Sequence, residues 1–300
     1  MDNRLFFARL ALAVAERVVP DWASRFAPRR YRQPQLLACL LLKEHLGLDY
    51  RTAEELVAAS DGLRSALGLA RAPDHSTLWW FARHRVTPDL VAAALAETVR
   101  RVEPKPGPRR VALDSTGLWL SYTSWYFVRR AERDRGQRGW LKWALALWTG
   151  PQVLLAQRVR PGPCGDFSDL VPLAAAAHAV LPFDQLVADA GYDSEANHRF
   201  CREGLGVDSL IPAKKRRSVR VVATTPLRRE MLRRLAGVGG DPEARRAYGQ
   251  RRKAETVMSV AKRRWGDALS ARLEATQRAQ TLLRGVVYNL NRLIALGCPV

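Results

Sequence analysis

Val111-Ala-Leu-Asp-Ser-Thr-Gly-Leu118 is a β-rich run that carries an acid, Asp114, near its middle. An unpaired carboxylate inside an otherwise apolar strand costs several kcal/mol unless a cation compensates it. A divalent metal is one such cation, and magnesium takes few protein carboxylates and leaves positions for water and phosphate oxygens. Immediately upstream, Val102-Glu-Pro-Lys-Pro-Gly-Pro-Arg-Arg110 holds three prolines and a glycine in nine residues. That composition predicts a linker and a domain boundary. The expected organisation is an all-α unit over 1–101, a Pro-rich linker over 102–110, and an α/β unit over 111–300.

On the N-terminal side the pattern is helical. Amphipathic segments are expected from Arg4 to Val19, from Pro34 to His45 with Gly47 as the stop, and from near Thr52, where Thr52 and Glu55 have capping-box spacing. A fourth follows Pro73-Asp74-His75-Ser76 and runs to about Arg85, and a fifth starts at Thr87-Pro88. The second to fourth segments fit a helix-turn-helix-like DNA-binding unit presenting Arg83, His84 and Arg85, and fit a plain helical bundle equally well. On the C-terminal side, Leu141–Trp148 and Gln152–Val159 around Thr149-Gly-Pro151 predict a hairpin. Phe167–Val180 reads as a helix, Gln185–Ala188 as a short strand running into Asp189-Ala-Gly-Tyr-Asp193, Ser194–Glu203 as a helix and Asp208–Pro212 as a strand. From Asp241 two long helices are expected, with a break near Trp265-Gly266. The order β-β-β-α-β-α-β followed by helices predicts an α/β class with a mixed sheet.

Three acids stand where a sheet gathers them: Asp114 in the first strand, Asp189 at a strand end, and Glu255 on the helix that begins at Tyr248. On a single helix, Tyr248, Arg251, Glu255 and Lys262 fall within roughly a 60° arc at about 100° per residue. Ala254, Val257, Ala261 and Trp265 form the neighbouring, core-facing stripe. An Arg251–Glu255 surface pair explains part of the polar arc, but not Tyr248 and Lys262 on the same line. Asp193, Asp166 and Asp169 read as helix caps, and His178 and His198 as surface or packing residues.

At these residues the chain resembles the DDE transposases of bacterial insertion sequences, the branch with an RNase H-like catalytic domain. Tyr248, Arg251, Glu255 and Lys262 match that family's Y-(2)-R-(3)-E-(6)-K signature at every spacing. Leu113-Asp-Ser-Thr116 resembles the segment bearing its first catalytic Asp, and Asp189-Ala-Gly-Tyr-Asp193 the segment bearing its second. The helical stretch from Tyr31 to Arg85 is also similar to its pre-catalytic domain. The resemblance implies an RNase H-like mixed β-sheet flanked by helices, with Asp114 and Asp189 on adjacent parallel strands and Glu255 alongside. It implies two Mg2+ (or Mn2+) ions on Asp114, Asp189 and Glu255, cleavage at transposon ends, and strand transfer into target DNA. Arg251 and Lys262 would hold phosphates, and Tyr248 would stack on or position a nucleotide. A homodimer pairing two transposon ends is the implied active assembly. Some relatives carry a β-rich insertion with a Trp before the last acid; here residues 189–248 are Arg-rich and lack Trp, with only a short basic insertion at about 213–240. A catalytically inactive DNA-binding repressor and a nuclease without strand transfer remain the competing readings.

Charge agrees with a polyanionic partner. The chain has 49 Lys+Arg against 29 Asp+Glu, a formal net charge of +20. Residues 212–264 hold 17 of these cations and four acids, and Lys214, Lys215, Arg216 and Arg217 are expected to lie along DNA. Such a run is otherwise a solvated face. Its longest uncharged runs, such as Trp143 to Gln157, are shorter than the ~18 apolar residues of a membrane span. Arg9, Glu16 and Arg17 argue against a signal peptide. Four scattered cysteines have neither metal-ligand spacing nor disulfide density, so a cytoplasmic, nucleoid-associated protein is expected.

Overall fold

The computed structural model describes residues 3–26, 29–104, 106–120, 139–214 and 225–300. Lys215, Arg216 and Arg217 lie outside them. The described residues divide into two compact units, one of residues up to 103, 119–120 and 264–300, the other of 104–118 and 139–263.

The first unit is helical: α1 Asn3–Val18, α2 Gln33–Leu46, α3 Tyr50–Ala59, α4 Asp61–Ala66, α5 His75–His84 and α6 Pro88–Arg100. Its centre is α12, Glu274–Ala295, whose Val286, Val287 and Leu290 are buried with Phe7, Leu10 and Val14 of α1 and Leu37, Leu40 and Leu41 of α2. Asn289 Nδ2 donates to Thr98 Oγ1 of α6 at 2.9 Å. Residues 264–300, expected with the α/β unit, therefore pack among the N-terminal helices, because α12 has a wide apolar face that α1, α2 and α6 cover. Gly47 closes α2 with φ +68°, a left-handed conformation that a side chain disfavours. Thr52 is not the cap of α3: Asp49 starts that helix earlier by accepting from the Thr52 N–H at 2.9 Å. The short α4 had no distinct signal in its six residues, whereas Thr87 caps α6 as its sequence predicts.

The sheet has six strands: β1 Arg110–Leu120, β2 Trp140–Trp148, β3 Val153–Pro161, β4 Gln185–Val187, β5 Asp208–Leu210 and β6 Ala268–Leu269. Its order is β3-β2-β1-β4-β5, and β6 pairs with the last two residues of β1. β2 and β3 are antiparallel, whereas β1, β4 and β5 run parallel. This is the mixed sheet that the sequence predicts, with the parallel half on the β4–β5 side. Helix α7, Leu170–Val180, packs on β2 and β3 through Leu170, Leu173, Ala174 and Ala177. A short α8, Glu195–Arg199, is capped by Ser194 Oγ. Three more helices follow: α9 Pro226–Arg234, α10 Pro242–Gly249 and α11 Arg252–Trp265. Among the described residues no helix is long and apolar enough to cross a membrane.

Candidate active site

The parallel β1–β4 pair positions the two aspartates. Its register matches Arg110 with Gln185, Val111 with Leu186 and Ala112 with Val187. Continued by two residues, that register sets Asp114 level with Asp189, and residues in register on parallel strands face the same side. Asp189 keeps an extended backbone (φ −76°, ψ 174°) and then caps a 3-10 turn, Ala190–Tyr192, by accepting from Gly191 N at 2.8 Å. A Cβ on Gly191 would come within 2.8 Å of Asp166 Oδ2 and 2.9 Å of Asp189 Oδ1, so the glycine lets two carboxylates approach one backbone.

Glu255 arrives from the first turn of α11. The single helix assumed for residues 248–262 is corrected: α10 ends at Gly249 and α11 starts at Arg252. Glycine weakens the helix there, and three-residue turns take over, with Arg251 N donating to Tyr248 O at 3.0 Å and Ala254 N to Arg251 O at 2.9 Å. Such tight turns eclipse residues i and i+3, so Tyr248 and Arg251 stay together without a continuous helix. The Arg251 guanidinium sits 6.0 Å from the Tyr248 ring centre, and its Nη2 donates to Glu255 Oε1 at 2.5 Å. Ala254, Val257 and Ala261 are buried as the stripe argument expects, together with Met258.

Electrostatics tie these residues into one neighbourhood. Burial pushes the Asp114 carboxyl up to about 6; the Ser115 N–H and Arg251 oppose the rise, and the charges of Asp189 and Glu255 add to it. The Tyr248 hydroxyl is raised by burial and feels Arg251, Asp189 and Glu255. Asp114, Asp189, Glu255, Arg251 and Tyr248 are thus brought together. Lys262 lies two turns beyond Glu255 on α11 and makes no hydrogen bond or ion pair among the described residues. Lys214 offers its backbone N–H to Asp193 Oδ2 at 2.8 Å, while its ammonium acts on Asp166.

A second layer of charge was missed in the sequence. Lys142, in the apolar strand Trp140–Trp148, is 3% exposed and reaches Asp166 Oδ1 at 2.5 Å and Asp169 Oδ2 at 2.9 Å. Asp166 also accepts from Ser115 Oγ at 2.7 Å, next to Asp114, and Asp169 from Arg160 at 2.7 Å. Asp166 and Asp169 stand at N-cap positions as expected, but neither side chain makes a capping bond. Burial disfavours charge on Lys142 and Asp166, yet their pairing outweighs it, leaving the lysine above and the aspartate below its ordinary value. The available signal was the lysine itself, because a cation at the centre of a buried strand requires partners. Tyr192 is buried beside this layer, and its hydroxyl has no hydrogen-bond partner among the described residues.

One further reading is corrected, and the packing role of the histidines stands. Asp193 does not cap α8; its fully buried carboxylate holds Arg228 through Nε at 2.9 Å and Nη2 at 2.8 Å, fastening α9. His198 is buried and bonded through Nδ1 to Ser209 Oγ at 2.8 Å, whereas His178 packs edge-on against Phe183.

Asp114, Asp189 and Glu255 offer only hard oxygens, and Asp114 is raised chiefly because burial removes water from its carboxylate, a cost that a bound cation offsets. That donor set fits a divalent magnesium-like cation. Their oxygens are not mutually within 4.8 Å. Among the described residues the set of ligand-type groups that meets that distance is Glu54, Asp74 and His75, in the helical unit. Local structure accounts for it: Asp74 caps α5, and Glu54 accepts from the His75 N–H and faces its Nδ1, both at 2.8 Å.

A carboxylate on one strand, a second just past the end of the neighbouring parallel strand and a third from a helix define a class of sheet-borne acidic site suited to phosphoryl chemistry. The sequence model of one family, described as "Transposase DDE domain", matches residues 105–290, more than half of the chain. The chain belongs to that family. No curated protein matches it. Among solved structures, the chain is similar to that of a piggyBac transposase in a synaptic complex with hairpin DNA. The identity is 9%, the TM-score 0.48, and the match covers 99% of this chain and 77% of that one.

Proposed function

We propose that this DDE-family chain is a transposase that cleaves DNA at transposon ends and joins the resulting 3′-OH to target DNA. The observation that supports the reading is the parallel pairing of β1, which carries Asp114, with β4, which ends two residues before Asp189, with Glu255 and Arg251 acting on Asp114. Asp114, Asp189 and Glu255 would hold two Mg2+ (or Mn2+) ions. When bound, such ions activate an attacking oxygen and stabilise a leaving one in an in-line displacement. Asp114 orients from β1 with an oxygen pinned by the Ser115 N–H, and Asp189 from the turn after β4 with an oxygen pinned by the Gly191 N–H. Arg251 exchanges its pairing with Glu255 for the scissile phosphate, and Tyr248 stacks against a nucleotide beside it. Lys262 and Lys214, with Lys215, Arg216 and Arg217, extend the phosphate contacts along the DNA. Two copies would pair the two ends. The test is incubation with the flanking genomic DNA and Mg2+: excised ends joined to a plasmid support transposition. Cut but unjoined ends assign a nuclease, and binding without cutting a repressor.

Arg251 and Arg252 separate a phosphate-facing role from general basicity. Arg252 is exposed, at the start of α11. Arg251→Ala should slow single-turnover cleavage by about one to two orders of magnitude, the value of a charge-assisted bond at roughly 1.5–3 kcal/mol. Arg252→Ala should slow it far less. Equal rates would leave Arg251 as only a surface partner of Glu255.

A stability measurement tests the cation site without catalysis. The folded protein raises Asp114 above its ordinary value, so its ionisation opposes folding progressively between about pH 4 and 6 and fully above that. In EDTA, Asp114→Asn should therefore be more stable than the wild type at pH 7.5, by about 1–2 kcal/mol after allowing for partial exposure. The gap should close toward pH 4. Added Mg2+ should raise the wild-type urea midpoint and leave the variant's unchanged. A pH-independent gap with equal Mg2+ responses argues against a cation at Asp114.

A further inference from the structure

The helical unit carries a groove of about 770 Å3 lined by residues from 21–26, 30–36 and α5, within the size range of ligand sites. Trp22, Phe26, Tyr31, Trp79, Trp80 and Arg85 line it. Helix α5 buries Leu78, Phe81 and Ala82, so the two tryptophans are left outside its core stripe. Trp80 is 48% exposed and Phe26 80% exposed. Each ring has a guanidinium nearby: Arg25 lies 4.6 Å from the centre of Phe26, Arg29 5.2 Å from Trp22 and Arg30 5.4 Å from Tyr31. Arg83 lies 5.2 Å from Trp79 and Arg85 5.7 Å from Trp80, on whose ring His84 also stacks at 4.7 Å. Five cation–aromatic pairs thus involve the groove's own rings, each a planar cation held against an aromatic face. The groove's own acid, Asp21, is engaged by Arg32 at 3.3 Å and does not neutralise these cations.

Flat apolar rings set among planar cationic forks match a ligand of the same alternation, planar bases on an anionic backbone. In a duplex the base faces are already stacked on each other, so only unpaired nucleotides present them. We propose that this groove is a binding site for unpaired nucleotides of a DNA strand, with Trp80 and Phe26 as stacking platforms and Arg30 and Arg85 on the flanking phosphates. The site lies apart in sequence from the carboxylates and needs no metal. It rests on the reading of the chain as a DNA-acting protein.

The test is binding of the full-length chain, in EDTA, to a fluorescein-labelled 12-residue oligothymidylate and to a blunt 12-base-pair duplex. Trp80→Ala should weaken single-strand binding about tenfold or more, Phe26→Ala several-fold, and Trp80→Phe little, because a ring remains. Duplex affinity should change less than about twofold in all three. If Trp80→Ala proves less stable on heating, Phe26→Ala, at a more exposed position, carries the comparison. Unaltered single-strand binding, or equal losses on both DNAs, overturns the stacking site while leaving the transposase reading in place. A wild-type chain that binds neither DNA overturns both.

Discussion

In a single-turnover cleavage assay at saturating protein, Asp189→Asn is expected to react about a thousandfold more slowly than the wild type, or more slowly still. The same is expected of Asp114→Asn and Glu255→Gln. Stabilising the charge of a phosphoryl-transfer transition state is worth several kcal/mol, and each 1.36 kcal/mol is tenfold in rate. The substitutions are nearly isosteric, so they remove ligand charge and leave the local structure. Asn at 189 keeps an oxygen to cap the turn at Gly191, and Asn at 114 keeps one for the Ser115 N–H. Glu255→Gln weakens an exposed pair with Arg251 that is worth a few tenths of a kcal/mol. Binding to DNA in Ca2+ should remain within a few-fold, since phosphate contacts are made by cations elsewhere. Full-speed cleavage by any one variant removes that residue from the site.

The largest stability change is expected at Lys142. Lys142→Met keeps the apolar stem within β2 but strips the cation from Asp166 and from Asp169, whose side chain is 1% exposed. Breaking a buried ion pair by removing one partner costs about 3–5 kcal/mol, because a charge is left behind without compensation. Arg160 still reaches Asp169, so the lower half of that range is expected. Urea unfolding at pH 7.5 measures it. Adding Asp166→Asn and Asp169→Asn to Lys142→Met should recover a substantial part of the loss, a coupling that independent sites do not have. A loss below about 1 kcal/mol would mean that water, and not Lys142, compensates the two acids. Cleavage should fall together with stability, since Asp166 holds Ser115, the neighbour of Asp114, and crowds the Gly191 turn beside Asp189.

Local signals made much of this protein legible in one dimension. The acid within an apolar strand at Asp114, the hairpin around Thr149-Gly-Pro151, the Thr87-Pro88 helix start and the Gly47 stop are all decided by residues close to one another in the chain. Backbone sterics, turn chemistry and burial act at that range. The signature spacing of Tyr248, Arg251 and Glu255 also survives, although for a different reason than helical periodicity: a three-residue turn at Gly249–Arg251 replaces the continuous helix, and Lys262 lies two turns beyond Glu255 on the helix that follows. Tertiary structure alone decided which partners the charges find. Asp166, Asp169 and Asp193 look like caps because each precedes a helix, but Lys142, Arg160 and Arg228 lie 24, 9 and 35 residues away along the chain from Asp166, Asp169 and Asp193 and take them instead. A buried carboxylate gains more from a cation than from one more backbone N–H, and whether a cation is within reach depends on strand order. Likewise, the place of residues 264–300 among the N-terminal helices follows from α12, whose apolar face is covered by α1, α2 and α6, all within the first 100 residues. Propensity is a property of a segment, whereas burial of a face and compensation of a charge are properties of what packs against it.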